Sequence, residues 1–261
     1  MKKNRLSILN VFKERYVAHR GLFDNASEAP ENTMPAFKKA VEAGYGIELD
    51  VQLSKDNKVV VTHDYSLKRI CGMDKLVIDL TYNELSKHKI LNSQETIPLL
   101  SDVLDSVNGK VPIIVELKAE RDYEEICRLT NDVLLNYNGI YCVESFSPFV
   151  VNWFRKKSPD VIRGQLADDF LHKGRFKSTV KNWLLTNMAF NFITRPDFVA
   201  YNHEFGKKRC IGFWKKVLGC YLVAYTVKSQ DGLNKAAEKF DIIIFDSFTP
   251  QNLRAGQARP L

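Results

Sequence analysis

Between Tyr16 and Asp64 the chain sets two histidines on either side of two carboxylates. The order is His19-Arg20-Gly21, Pro30-Glu31-Asn32-Thr33, Glu48-Leu49-Asp50 and His63-Asp64. Two imidazoles can exchange protons near neutral pH. Carboxylates two residues apart on a strand share one face and can hold a hard cation. An arginine beside them can grip a phosphate with two prongs. That combination suits metal-assisted hydrolysis of a phosphate ester.

A third carboxylate comes from a second apolar run, Val115-Glu116-Leu117-Lys118, where Glu116 and Lys118 again share a face. Three carboxylates favour an oxygen-rich Mg²⁺ or Ca²⁺ site over a zinc site. On the inner face of a parallel sheet each is costly if left unpaired, and a divalent cation removes that cost. Lys118 can neutralise a phosphate oxygen, or simply pair with Glu116 or Asp50. Of His19 and His63, one would take a proton from the attacking group and the other would give one to the leaving oxygen; either assignment suits the pattern. Gly21 lets the backbone approach closely. Glu31 is placed either to orient Arg20 or a histidine, or to cap the next helix. His88, His172 and His203 stand in no ligand spacing and read as structural or surface groups.

These side chains need elements to hold them. Short apolar or β-branched runs are predicted as strands over 16–18, 46–53, 59–62, 111–117, 140–143, 161–166, 198–201, 221–227 and 242–245. Amphipathic helices are predicted between most of them. In the first, Thr33 can cap, Met34, Phe37 and Val41 line one face, and Gly44 closes the end. Helices over 121–136, 148–157, 205–217 and 230–239 repeat the pattern. Alternating strands and helices predict a parallel α/β sheet. Only residues 54–58 separate the second run from the third, too few for a parallel crossover, so this connection is predicted to be a hairpin. Its return would carry His63 back to the carboxylates. Removing that strand leaves eight parallel ones. Residues 66–96 contain no strand-helix unit and read as a small insertion over the mouth.

The bulk composition limits the alternatives. A chain of 261 residues can form one α/β barrel, so 1–261 is expected to be a single domain. Hydrophobic residues at 45% and charged residues at 26% argue against disorder. The net charge of +7 reads mainly as a soluble surface. Lys207-Lys208-Arg209 with Lys215-Lys216 is weak evidence for nucleic acid, and no nucleic-acid partner is expected. Five cysteines without a C-x-x-C pair suit a reduced, cytoplasmic protein. The run after Met1-Lys2-Lys3 is too short and too polar for a secretion signal. The longest later uncharged stretch, 182–194, is too short to span a membrane, which leaves peripheral membrane contact open. That stretch is expected to form the buried face of an outer helix. Nothing in the sequence sets the oligomeric state.

Taken in order, the motifs resemble the glycerophosphodiester phosphodiesterase family. The matching pieces are His19-Arg20-Gly21, Pro30-Glu31-Asn32-Thr33, Glu48-Leu49-Asp50-Val51, His63-Asp64, Ile97-Pro98-Leu99 and Glu116-Leu117-Lys118. The resemblance implies a TIM (β/α)8 barrel with a small insertion after the His63 strand. It implies one divalent cation, Mg²⁺ or Ca²⁺, held by Glu48, Asp50 and Glu116. It makes His19 and His63 the acid/base pair and sets Arg20 and Lys118 near the phosphate. The family's reaction splits a glycerophosphodiester into glycerol 3-phosphate and an alcohol. In the second half, Ser145-Phe146 matches, and Arg163 with Leu166 fits the fifth barrel strand. Ala224-Tyr225-Thr226-Val227 stands where the family commonly has Ala-Trp-Thr-Val. Tyr225 thus keeps an aromatic wall of the substrate site and adds a hydroxyl. Phe245 stands where the family has a Thr before Asp246. Two rival readings remain: lysophospholipase D-like chemistry on a lipid phosphodiester, motivated by 182–194, and a silent binding protein on the same barrel. The second is disfavoured because every chemical group is present.

Overall fold

The computed structural model describes residues 2–119, 122–172, 180–252 and 254. Its strands are β1 (Val17–His19), β2 (Gly46–Leu53), β3 (Val59–Val61), β4 (Ile113–Leu117), β5 (Tyr141–Ser145), β6 (Arg163–Ala167), β7 (Phe198–Asn202), β8 (Tyr221–Val227) and β9 (Ile242–Phe245). Eight of them run parallel, and β1 pairs with both β9 and β2, so the sheet closes on itself. This is a TIM barrel. The ninth, β3, is antiparallel to β2, with Val51 opposite Val61 and Leu53 opposite Val59. The hairpin therefore forms as its short turn requires. β1 ends at His19 opposite Glu48, and β3 takes the edge of β2 beyond that point.

Alternation along β2 sorts its side chains. Ile47, Leu49, Val51 and Leu53 join Phe37, Leu100 and Val103 in the layer between sheet and helices, leaving Glu48, Asp50 and Gln52 on the barrel's inner face. The lower interior is filled by Val17, Ile114, Cys142, Ile162, Val223 and Ile244. Leu9 and Phe12 of a helix over Lys2–Lys13 complete that cluster from below. The sequence reading missed this helix. Its two core-facing residues sit three apart in a short, polar-interrupted segment that resembled a failed leader.

Three other expectations change. The helix Met34–Glu42 starts at Thr33, but Thr33 does not cap it: its Oγ1 donates to Pro30 O at 2.6 Å and tightens the preceding turn instead. Gly44 does close it, with φ +69° and its N–H on Val41 O. The helix expected over 205–217 splits into a 3-10 turn at His203–Phe205 and a helix Arg209–Leu218, because Lys208 is extended. The run 182–194 forms parts of two short helices, Val180–Thr186 and Asn191–Thr194. Met188, Asn191 and Thr194 are buried, but Trp183, Phe192 and Ile193 are each more than half exposed, so the run is not simply an inner face.

Residues 66–96 fold over β3 on a small core of their own. Leu67, Ile70, Val77 and Leu85 pack with Val60 and Ile97. No helix among the described residues is long and apolar enough to cross a membrane.

Candidate active site

Glu48 and Asp50 on β2 and Glu116 on β4 converge at the upper end of the barrel, with Asp50 in register with Glu116. One carboxylate oxygen from each lies within 4.8 Å of the others, and all three residues are buried. Lys118 lies between two of them, its Nζ 2.6 Å from Glu116 Oε1 and 2.9 Å from Asp50 Oδ1. Three buried carboxylates repel one another unless positive charge is near. Burial pushes the Glu48 carboxyl well above its usual range, and the charges of Asp50 and Glu116 add to that. Burial likewise raises Glu116 to about 7, despite Lys118. Burial also opposes ionisation of Asp50, but Lys118 and Arg20 outweigh it and hold Asp50 well below the carboxylate range. A hard divalent cation fits this donor set: all oxygen, acidic, and short of positive charge.

The expected phosphate-facing residues stand around this cluster. Arg20 adopts φ +56°, a left-handed conformation uncommon for a non-glycine residue. Its backbone N–H donates to Glu48 Oε2 at 3.0 Å, and its guanidinium pairs with Glu31 at 2.7 Å and Asp50 at 3.3 Å. Glu31 therefore orients Arg20 and does not cap the helix. Gly21, at φ +81°, is required by close approach, but to the helix and not to a ligand: a Cβ there would meet Ala36 at 2.9 Å.

His19 and His63 stand at the two flanks. Nδ1 of His19 is 2.9 Å from Asp246 Oδ2, and its Nε2 is 3.9 Å from Glu48 Oε2. Nδ1 of His63 is 2.7 Å from Asp64 Oδ1. Each imidazole is thus held at one nitrogen by a carboxylate, which leaves the other for the site. Burial lowers the pKa of both rings, against the pull of Asp246 on His19 and of Asp50 on His63.

Several groups escaped the sequence reading. Asn32 Nδ2 donates to Asp50 Oδ2 at 2.9 Å. Gln52 Nε2 lies 2.9–3.0 Å from the carbonyls of Thr62, His63 and Asp64 and clamps the returning chain. Its signal was present, since it follows Glu48 and Asp50 at the same spacing. Glu144 is in register with Glu116 and buried; the strand was expected to end at Val143, one residue short of it. Arg69, from the insertion, makes a two-pronged pair with Glu31 at 2.7 and 2.8 Å and reaches Asp64 at 2.6 Å. No local pattern marked it.

Tyr225 is less available than expected. Its hydroxyl donates to Ala167 O at 2.8 Å, and its ring meets Phe146 edge-on. A cavity of about 900 Å³ opens beside the cluster, bounded by His63, Glu116 and Lys118 on one side. Phe146, Pro148, Phe149, Leu185 and Phe190 line the rest, so most of its surface is apolar.

A closed barrel with an acidic cluster between two imidazoles at its upper rim is the architecture of a TIM-barrel hydrolase. The chain belongs to the glycerophosphoryl diester phosphodiesterase family, whose model matches residues 19–249. It is an enzyme of the phosphoric diester hydrolase class. A glycerophosphodiester phosphodiesterase of Bacillus altitudinis is 34% identical over 168 residues, covering 60% of this chain and 67% of that one. The lysophospholipase D of Rattus norvegicus is 36% identical over 124 residues, but these cover only 42% of this chain and 38% of that enzyme. The fold also superposes on an Oleispira antarctica phosphodiesterase in complex with sn-glycerol-3-phosphate, with TM-score 0.74, 23% identity, and 94% and 97% of the two chains covered. A Thermotoga maritima glycerophosphodiester phosphodiesterase matches with TM-score 0.68 at 27% identity over 89% and 95%.

Proposed function

We propose that this protein hydrolyses glycerophosphodiesters to sn-glycerol 3-phosphate and an alcohol, with one divalent cation at Glu48, Asp50 and Glu116. The observation that carries this reading is the convergence of those three carboxylates within 4.8 Å between His19 and His63. Mg²⁺ or Ca²⁺ there would offset phosphate charge and polarise the phosphorus centre. Arg20 and Lys118 bind the non-bridging oxygens. One imidazole takes the proton of the attacking oxygen and the other protonates the departing alkoxide. Asp246 and Asp64 keep both rings aimed, and Arg69 with Glu31 braces Arg20.

A second reading concerns the glycerol side of the substrate, which would carry an acyl chain. The apolar cavity abuts the carboxylate cluster directly, which supports a substrate with a hydrocarbon chain, as in lysophospholipase D chemistry. The likeness to the rat lysophospholipase D supports the same idea. Both readings share one test. Purified protein is expected to release glycerol 3-phosphate from glycerophosphocholine with Mg²⁺ or Ca²⁺, and to lose this with EDTA. Faster turnover on a lysophospholipid favours the second reading. No metal-dependent turnover on any phosphodiester of glycerol would sink both.

A further inference from the structure

Among the described residues ten large apolar side chains are exposed, and six of them fall between residues 180 and 217: Val180, Trp183, Phe192, Ile193, Phe213 and Val217. Single exposed apolar residues are ordinary, but a concentration of them marks a surface that meets something. Phe192 packs edge-on against Phe213 with ring centroids 6.2 Å apart, so two separate helices share one apolar surface. Both rings rest on Trp214, which is buried. Packing inside the barrel therefore does not explain why Phe192 and Phe213 face outward.

The charge on this flank is mainly basic, although Lys208 pairs with Asp169 and Lys215 with Asp241. Residues 180–218 carry seven Lys or Arg against two Asp or Glu. Of the two acids, Asp197 already pairs with Arg5 and Arg163. Along the helix Arg209–Leu218, Ile211 and Trp214 turn inward, while Arg209, Phe213, Lys216 and Val217 are exposed at helical spacing. Arg209 and Lys216 have no carboxylate partner among the described residues. Arg155 reaches the backbone carbonyl of Ile193 and brings another cation to the edge of the patch. Cations interleaved with exposed aromatic and aliphatic side chains are the pattern of helices that lie in a membrane interface. A protein partner of fixed shape would meet this alternation less well than a fluid surface, where rings can enter the acyl boundary while cations stay at the headgroups.

We propose that the flank formed by residues 180–218 docks the barrel on an anionic lipid surface. The proposal does not depend on the reading of the active site. It does explain why Leu185 and Phe190, from the same segment, line the apolar cavity: an amphiphile leaving the surface would find the cavity wall next to the docking face.

Vesicle sedimentation tests this directly. Full-length protein is expected to bind vesicles of phosphatidylglycerol mixed equally with phosphatidylcholine, and to bind pure phosphatidylcholine roughly tenfold less. Raising salt well above about 0.1 M should weaken binding, because exposed charges are then screened within a few ångströms. A Trp183→Ser/Phe192→Ser/Phe213→Ser variant and an Arg209→Glu/Lys216→Glu variant should each lose roughly tenfold in vesicle affinity. Both variants should keep the native circular dichroism spectrum and a cooperative thermal melt, which shows that they remain folded. Equal binding to both vesicle types, or full vesicle binding by either variant, overturns the proposal. So does patch-dependent self-association in solution without vesicle binding, or capture of an oligonucleotide in preference to vesicles.

Discussion

Asp246 Oδ2 sits 2.9 Å from His19 Nδ1, so the end of β9 aims the imidazole that closes β1. Because β1 and β9 are neighbours in the closed barrel, residues 227 positions apart form one unit. His19→Ala is expected to lower kcat by about 10²–10⁴, the range of general acid–base catalysis. Asp246→Asn should give a smaller loss, since the ring stays but its anionic partner goes. Burial holds both imidazoles below 6.5, so the acid limb of the kcat profile should lie below that pH. Full activity in His19→Ala, measured as glycerol 3-phosphate release, would contradict the assignment.

Gln52 links the strand that carries Glu48 and Asp50 to His63 through three carbonyls. Gln52→Ala leaves buried acceptors without a donor, at about 1–3 kcal/mol. Urea unfolding should show that loss, and kcat should fall with it, because the return that carries His63 is freed. Loss of stability with unchanged kcat would make Gln52 merely structural.

The carboxylate cluster should respond oppositely to mutation with and without metal. In EDTA at pH 8, ionising Glu116 opposes folding, since its folded pKa is raised to about 7. Glu116→Gln should then be more stable than the native protein by about 1–2 kcal/mol. Added Mg²⁺ or Ca²⁺ should reverse the order, because binding at a hundredfold excess over Kd stabilises by about 2.7 kcal/mol. Thermal melts in both buffers check this. A variant that gains as much from metal as the native chain would remove Glu116 from the ligand set.

Glu31 gives an acid-side signature. Burial alone would raise its pKa, but Arg69, Arg20 and Asn25 hold it at about 2. Its folded pKa is depressed below the usual 4.5, so its contribution is present above pH 4.5 and is lost as pH falls toward 2. The contribution is at most about 3 kcal/mol. Arg69→Ala should flatten stability between those pH values, as seen by denaturant unfolding at each pH. An unchanged slope would mean that Arg20 and Asn25 maintain the shift without Arg69.

The cavity can be filled without touching the proposed chemistry. Leu185→Trp should lower kcat/KM on lysophosphatidylcholine by about tenfold, as steric exclusion of part of an acyl chain allows, while glycerophosphocholine turnover stays near the native value. Equal effects on both substrates would place the chain elsewhere.

Much of this site could be read before the fold was known, and the reason is geometric. Glu48, Asp50, Glu116 and Lys118 each interrupt an apolar strand, so alternation alone sets them on one face. The five-residue turn fixed the hairpin and with it the return of His63. What stayed hidden depends on long-range contacts or on strand ends. Arg69 reaches Glu31 across 38 residues from a segment without periodicity. Glu144 was lost by ending a strand one residue early. Thr33 had a capping residue's identity and position, yet Pro30 O offered its hydroxyl a nearer acceptor. The bond from the Tyr225 hydroxyl to the Ala167 carbonyl also spans two strands and could not be read from either alone.

One strand carries an unusual concentration of duties. β2 presents Glu48 and Asp50 to the cluster, holds His63 through Gln52, and pairs with β1, β3 and β4. A slip of one residue would turn all three side chains outward together. The site therefore has no half-built form along this strand: the two carboxylates and the tie to His63 fail or survive as a set. A misregistered strand would lose the whole constellation at once, a form of error protection written into a single β-strand.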